Sequence, residues 1–179
     1  MRMLKFGQPA GSVYQFAYTV GNIEKGMADF SARLGVGPWF TIDYSASPHA
    51  RYRGEPTKLR VTIALGFAGH INVELFELLD DSPSPFREIV DRRGHGFHHW
   101  AIGSDDFERD VAHYQGLGYE IAFYEQAARG RVVYMDTTRD LPGMLEICEM
   151  TERQETRLHA MYQASVEFDG KDPVRVSPL

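Results

Sequence analysis

The sequence predicts an α+β fold of two tandem βαβββ modules that pack together. Three observations carry this reading. Strand-like runs recur in the same order on either side of a short central helix. The first strand of each half runs straight into a capped helix. Four polar residues, Gln15 and Glu74 in one half and His99 and Glu146 in the other, fall at matching places in core-like surroundings.

The first module spans residues 12–80. Val13–Val20 is aromatic and β-branched, which predicts a strand. Asn22 is placed to cap a helix over Ile23–Leu34, and Gly35 to end it. Ile23, Met27, Phe30 and Leu34 recur at helical spacing, which predicts one buried face. Trp39–Tyr44 reads as a short strand. His49–Thr57, with its Arg, Gly and Pro, reads as a mobile loop. Leu59–Phe67 and Ile71–Leu78 read as a strand pair around Ala68-Gly69-His70.

A connector covers residues 81–96. Ser84 caps a short helix with Pro85 at its first position, and Gly94 ends it. The second module covers 97–150. Phe97–Ile102 is its first strand, and Asp105 with Glu108 forms the capping box of a helix reaching Gly116. Tyr119–Tyr124, Arg131–Asp136 and Met144–Met150 supply the remaining strands. Residues 151–179 hold a last helix, started by Thr151 and Gln154, and a tail that reads as irregular from Asp169. Leu158, Met161, Tyr162 and Val166 are spaced to pack that helix on the sheet or on a partner chain.

The repeat is visible residue by residue. Gln15-Phe16-Ala17-Tyr18 matches His99-Trp100-Ala101-Ile102. Glu74-Leu75-Phe76-Glu77-Leu78 matches Glu146-Ile147-Cys148-Glu149-Met150.

Composition bounds the function. The chain has 179 residues, 43% of them hydrophobic, with a net charge of -6 and no basic cluster, so nucleic-acid or polybasic membrane binding is not expected. No apolar run reaches the length of a membrane span, and Met1–Gly11 lacks the apolar core of a signal peptide. The one cysteine, Cys148, can form no internal disulfide, which points to a reducing cytoplasm. Its apolar strand pattern makes it core and not a nucleophile.

Side chains alternate across a strand, so Gln15 shares a face with Val13, Ala17 and Thr19, and His99 with Phe97 and Ala101. Glu74 lies with Asn72 and Phe76, and Glu146 with Met144 and Cys148. Two carboxylates on apolar faces are costly unless a cation joins them. A set of imidazole, carboxylate and amide oxygen suits one divalent metal ion: zinc, nickel, cobalt, manganese or iron. His98 and His99 are equally visible as the imidazole. Arg51, Arg53 and Lys58 read first as a solvated loop and second as an anion contact for the substrate.

Glu74-Leu75-Phe76-Glu77-Leu78 with Asp80-Asp81-Ser82-Pro83, then Gly94-His95-Gly96-Phe97-His98-His99, then Tyr134-Met135-Asp136-Thr137 and Gly143-Met144-Leu145-Glu146, resemble the vicinal oxygen chelate superfamily over roughly Ser12–Met150. Its members include glyoxalase I, methylmalonyl-CoA epimerase, extradiol dioxygenases and bleomycin-resistance proteins. The resemblance is nearest to the epimerase-like and glyoxalase I-like branches. It implies a cupped sheet around a metal held by Gln15, Glu74, His99 and Glu146, with His99 preferred over His98. The epimerases usually carry His where this chain has Gln15. A Gln/Glu/His/Glu set is instead similar to the zinc ligands of animal-type glyoxalase I, and it disfavours a dioxygenase.

The implied activity is proton transfer next to a carbonyl of a small-molecule substrate, through a metal-stabilised enediolate or enolate, by a lyase or isomerase. Glu146 is the first candidate catalytic base and Glu74 the second. The alternatives are a metal-free small-molecule binding protein of the bleomycin-resistance type and a ring-cleaving dioxygenase. The modules could pair within one chain or across a homodimer.

Overall fold

The computed structural model describes residues 2–177. The first module folds as β1 (Val13–Thr19), α1 (Ile23–Leu34), β2 (Trp39–Ser45), a small hairpin of β3 (Arg51–Tyr52) and β4 (Glu55–Pro56), then β5 (Arg60–Ala68) and β6 (Ile71–Leu78). Helix α2 (Pro85–Arg93) leads to β7 (Gly96–Ser104), α3 (Phe107–Gly116), β8 (Ile121–Ala127), β9 (Gly130–Met135) and β10 (Met144–Glu149). Helix α4 (Glu152–Val166) and β11 (Val174–Val176) follow.

All strands join one mixed sheet in the order β11-β2-β5-β6-β1-β7-β10-β9-β8-β3-β4. β1 runs parallel to β6, and β7 parallel to β10, so each βαβββ module repeats the same topology. The modules meet where β1 and β7 pair antiparallel, within one chain. At that seam Gln15 lies opposite Ala101, and Ala17 opposite His99. Ala17 also faces Glu74 on β6, as Ala101 faces Glu146 on β10. Gln15 matches His99 and Ala17 matches Ala101, so the register has the two-fold character that the sequence repeat requires.

Local chemistry sets the elements as read from the sequence at most ends. Asn22 accepts a hydrogen bond from the Lys25 N–H, Ser84 from Arg87 and Thr151 from Gln154. Gly35 closes α1 in the left-handed region, at φ 67°. On the outer face, Ile23 and Met27 of α1 pack on Trp39, Val73 and Leu75, while Phe107 and Val111 of α3 pack on Ile102, Leu145 and Ile147. The other face forms the cup. Phe86 and Ile89 of α2 close one end of it. Leu158 and Met161 of α4, with Leu4 and Phe6, close the other.

Five expectations need correction. Residues 49–57 are not an irregular loop. They form the β3–β4 hairpin, which extends the sheet from β8 through a two-residue turn with Arg53 and Gly54 both at positive φ. The tail is not irregular throughout, since β11 pairs parallel with β2, and residues 178–179 lie outside the described chain. Asp106 caps α3, not Asp105, which accepts a hydrogen bond from Arg2 at 2.8 Å. Leu34 and Val166 end their helices at the surface, 61% and 64% exposed. Finally, a bulge between Val13 and Gln15 breaks the alternation. Tyr14 therefore joins the core on the cup side with Phe6 and Cys148, while Val13 packs beneath α3.

Candidate metal centre

Glu74, His99 and Glu146 converge at the seam. Each offers a ligand atom within 4.8 Å of the others, and all three are buried. His99 Nε2 lies 2.9 Å from Glu146 Oε2 and 3.6 Å from Glu74 Oε2. Gln15, the fourth residue expected there, is 3% exposed and donates its amide N–H to Glu74. A half-turn of the amide would turn its oxygen to the cluster instead.

His98 stands behind His99 and not beside it. Its Nε2 lies 3.1 Å from the Pro85 carbonyl and its Nδ1 lies 2.8 Å from His99 Nδ1. A carbonyl can only accept, so His98 carries its proton on Nε2 and presents a lone pair at Nδ1. His99 must then donate from Nδ1, which turns the lone pair of its neutral ring, at Nε2, toward the two carboxylates. A bulge in the β1–β7 pairing falls at His98, so both rings turn to the cup side and meet at their Nδ1 edges, His98 against Phe86 and His99 against the carboxylates. Burial, reinforced by His99, holds the His98 imidazole well below its usual pKa and so neutral.

The electrostatics of the cluster match a cation site. Burial raises the Glu74 pKa, against the pull of His99 and with the push of Glu146. Burial lowers His99, but its interactions with the accepting carboxylates of Glu146 and Glu74 outweigh it and push its pKa up to about 9. Two buried carboxylates and one imidazole thus compete for protons in a space where a divalent ion would satisfy all three, and the donor set fits one. Tyr134 lies tilted against His99 with ring centroids 4.7 Å apart, and Phe76 packs at 5.9 Å, fixing the ring.

A cavity of about 880 Å³, its mouth included, opens onto the cluster. Its walls are largely apolar. Glu125 is an exception: it is buried and accepts hydrogen bonds from Tyr44, at 2.5 Å, and from Ser47. Arg157 of α4 is another, and nothing in the sequence pattern singled it out. The sequence-predicted cations lie elsewhere. Arg53 is bound to Glu88 at 2.7 Å and Asp136 at 2.6 Å, Arg51 bonds the Pro48 and Ala50 carbonyls, and Lys58 is exposed. His95 is exposed as well. Cys148 is buried, and burial with the nearby Glu146 charge pushes its thiol up to about 12, as expected of an inert core residue.

A duplicated βαβββ sheet with acid and imidazole groups at the seam defines a class of protein. The chain belongs to the glyoxalase/bleomycin resistance protein/dioxygenase superfamily, whose sequence model matches residues 14–134. No curated protein sequence matches the chain. Among solved structures it is similar to a hypothetical protein from Bacillus halodurans C-125, at 23% identity and TM-score 0.58, covering 79% of this chain and 95% of that one. It is similar to methylmalonyl-CoA epimerase from Mycobacterium tuberculosis at 14% identity and TM-score 0.57, covering 82% and 93%. A methylmalonyl-CoA epimerase in complex with methylmalonyl-CoA and ammonium gives 15% identity and TM-score 0.53, covering 78% and 94%. These likenesses show the fold. No helix among the described residues is long and apolar enough to cross a membrane.

Proposed function

We propose that the chain is a metal-dependent enzyme that moves a proton on the carbon next to a carbonyl, in the manner of a glyoxalase I-type lyase or a methylmalonyl-CoA epimerase-type isomerase. The observation that carries this reading is the convergence of Glu74, His99 and Glu146 on one point of a buried cavity. Those three would hold the ion, with Gln15 as a fourth ligand through its amide oxygen or as the residue that orients Glu74. A bound divalent ion supplies Lewis acidity, stabilising charge on a carbonyl oxygen by several kcal/mol.

The chain's own residues do the rest. Pro85, His98 and His99 form a line of hydrogen bonds that keeps the His99 Nε2 lone pair aimed at the site. The apolar walls exclude water, so charges in the cavity act at low dielectric. Glu146 takes a proton from the substrate carbon, and the C–H electron pair moves toward the carbonyl oxygen. Return of a proton to that carbon inverts or exchanges it, and return to the neighbouring carbon isomerises the substrate. Glu74 is the second candidate for this role, and burial raises its carboxyl above the usual range.

Solvent exchange tests the proposal. Metal-loaded protein in D₂O is incubated with methylmalonyl-CoA or with a glutathione hemithioacetal, and deuterium at the substrate carbon is followed by NMR. Exchange with one of them in wild type, and its loss in a folded Glu146→Gln variant, is expected. Unchanged exchange in that variant would remove Glu146 from the mechanism. A second reading, a metal-free binding protein of the bleomycin-resistance type, draws on the partners the site already has, His99 with Glu146 at 2.9 Å and Gln15 with Glu74. Protein purified without chelator and free of metal would favour it. Oxygen uptake with catechols would point to the dioxygenase alternative.

A further inference from the structure

Helix α4 lies beyond the residues matched by the superfamily model, yet it walls the cavity with Gln154, Arg157 and Leu158. Arg157 is 4% exposed. Its Nε donates to Ser177 Oγ at 3.2 Å, and its Nη2 is buried with no partner among the described residues. Gln154, three residues earlier and on the same helix face, has a buried Oε1 in the same condition. Burial pulls the Arg157 guanidinium down to about 10, so it remains cationic at neutral pH. A buried guanidinium N–H without a hydrogen-bond partner is unfavourable, and in a cavity wall it is a vacant binding group.

The partners of the other charged wall residues point the same way. Glu74 and Glu146 face His99 at the seam. Glu125 is held by Tyr44 and Ser47, and Glu149 pairs with Arg131. The Arg157 Nη2 is left without a hydrogen-bond partner among the described residues. The rest of the surface, including Ile42, Ile63, Leu65, Phe76, Phe123 and Val132, offers hydrocarbon.

We propose that Arg157 is a specificity-determining residue that binds a monoanionic carboxylate of the substrate, carried on an apolar body at the α4 end of the cavity. The guanidinium fork matches a carboxylate in a bidentate pair, and one charge suffices. A phosphate monoester, with close to two charges, carries more charge than one guanidinium balances. Gln154 Oε1 would accept a hydroxyl or N–H of the same ligand. The inference deepens the proposed function, but its test does not depend on the metal.

The test uses chelator-stripped full-length protein and calorimetric titration with hexanoate, hexanamide and hexyl phosphate. Hexanoate is expected to bind at least about tenfold more tightly than hexanamide, the margin of a charge-assisted pair, and more tightly than hexyl phosphate. Arg157→Met should bring hexanoate down to hexanamide while leaving the amide unchanged, and Arg157→Lys should keep part of the preference. Equal affinity of wild type for hexanoate and hexanamide overturns the proposal, whether or not the variants fold. Tighter binding of hexyl phosphate overturns the carboxylate assignment. A parallel titration of zinc-loaded protein with acetohydroxamic acid, a chelator without a carboxylate, reads the metal site separately. Its failure beside a surviving hexanoate preference would refute the metal reading and leave the role of Arg157 standing.

Discussion

Without a metal ion, stability should fall steeply between about pH 6.5 and 9.5. In the metal-free fold the buried His99 imidazole is held at about 9 by Glu146 and Glu74. In the unfolded chain it titrates near ~6.5. A raised imidazole pKa means that the folded state holds the proton more tightly. Its contribution to stability is therefore complete below the unfolded pKa and is lost as pH rises through the folded one. The gap of about 2.5 units corresponds to roughly 3 kcal/mol. For a chain of this size that is a fall of about 6–12 °C in Tm. His98, held neutral by burial, does not titrate in this window, so it adds no slope. The assay is thermal denaturation of chelator-treated protein across the window, repeated with His99→Gln and with one equivalent of zinc. Wild type should show the slope, the variant should lose it, and zinc should flatten it by replacing the proton. A flat profile for stripped wild type would refute the coupling of His99 to the two carboxylates.

Three further outcomes follow from the same geometry. His98→Phe keeps the packing against Phe86 and Tyr134 but removes the acceptor of the His99 Nδ1–H, so zinc affinity should fall about 10- to 100-fold in a competition titration with little change in fold. Gly143→Ala places a methyl carbon 2.5 Å from the Phe97 ring and 2.6 Å from the His98 carbonyl oxygen. Denaturant titration should show a loss of about 1–3 kcal/mol, because backbone must move. Native Cys148 should resist alkylation at pH 8 and react only after denaturation, since it is buried with its thiol near 12.

What was legible in the sequence was what local chemistry writes. Caps at Asn22, Ser84 and Thr151 sit beside the apolar periodicities they open, and the duplicated Glu-apolar-x-Glu pattern marks β6 and β10 in the right register. The convergence of Glu74, His99 and Glu146 follows from that repeat, because the antiparallel pairing of β1 with β7 brings matched positions together. Other features depend on partners far along the chain. β11 is a strand only because the edge of β2 accepts it, and β3–β4 only because β8 does. The Arg53-Gly54 turn puts an arginine at positive φ, where Asn or Asp would have signalled a hairpin. Arg157 sits in a helix of ordinary polar pattern, and only the docking of α4 on the cup turns it inward. His98 and His99 are equal in sequence. The Pro85 carbonyl on one side and the two carboxylates on the other, both placed by the fold, separate them.

The central claim is that Glu74, His99 and Glu146 bind one divalent ion, and cobalt(II) titration of the stripped chain, read by its visible absorption, tests it most directly. The account predicts saturation at one equivalent in wild type and loss of that band in His99→Ala. Absence of saturable binding in wild type, or an unchanged band in the variant, would contradict it.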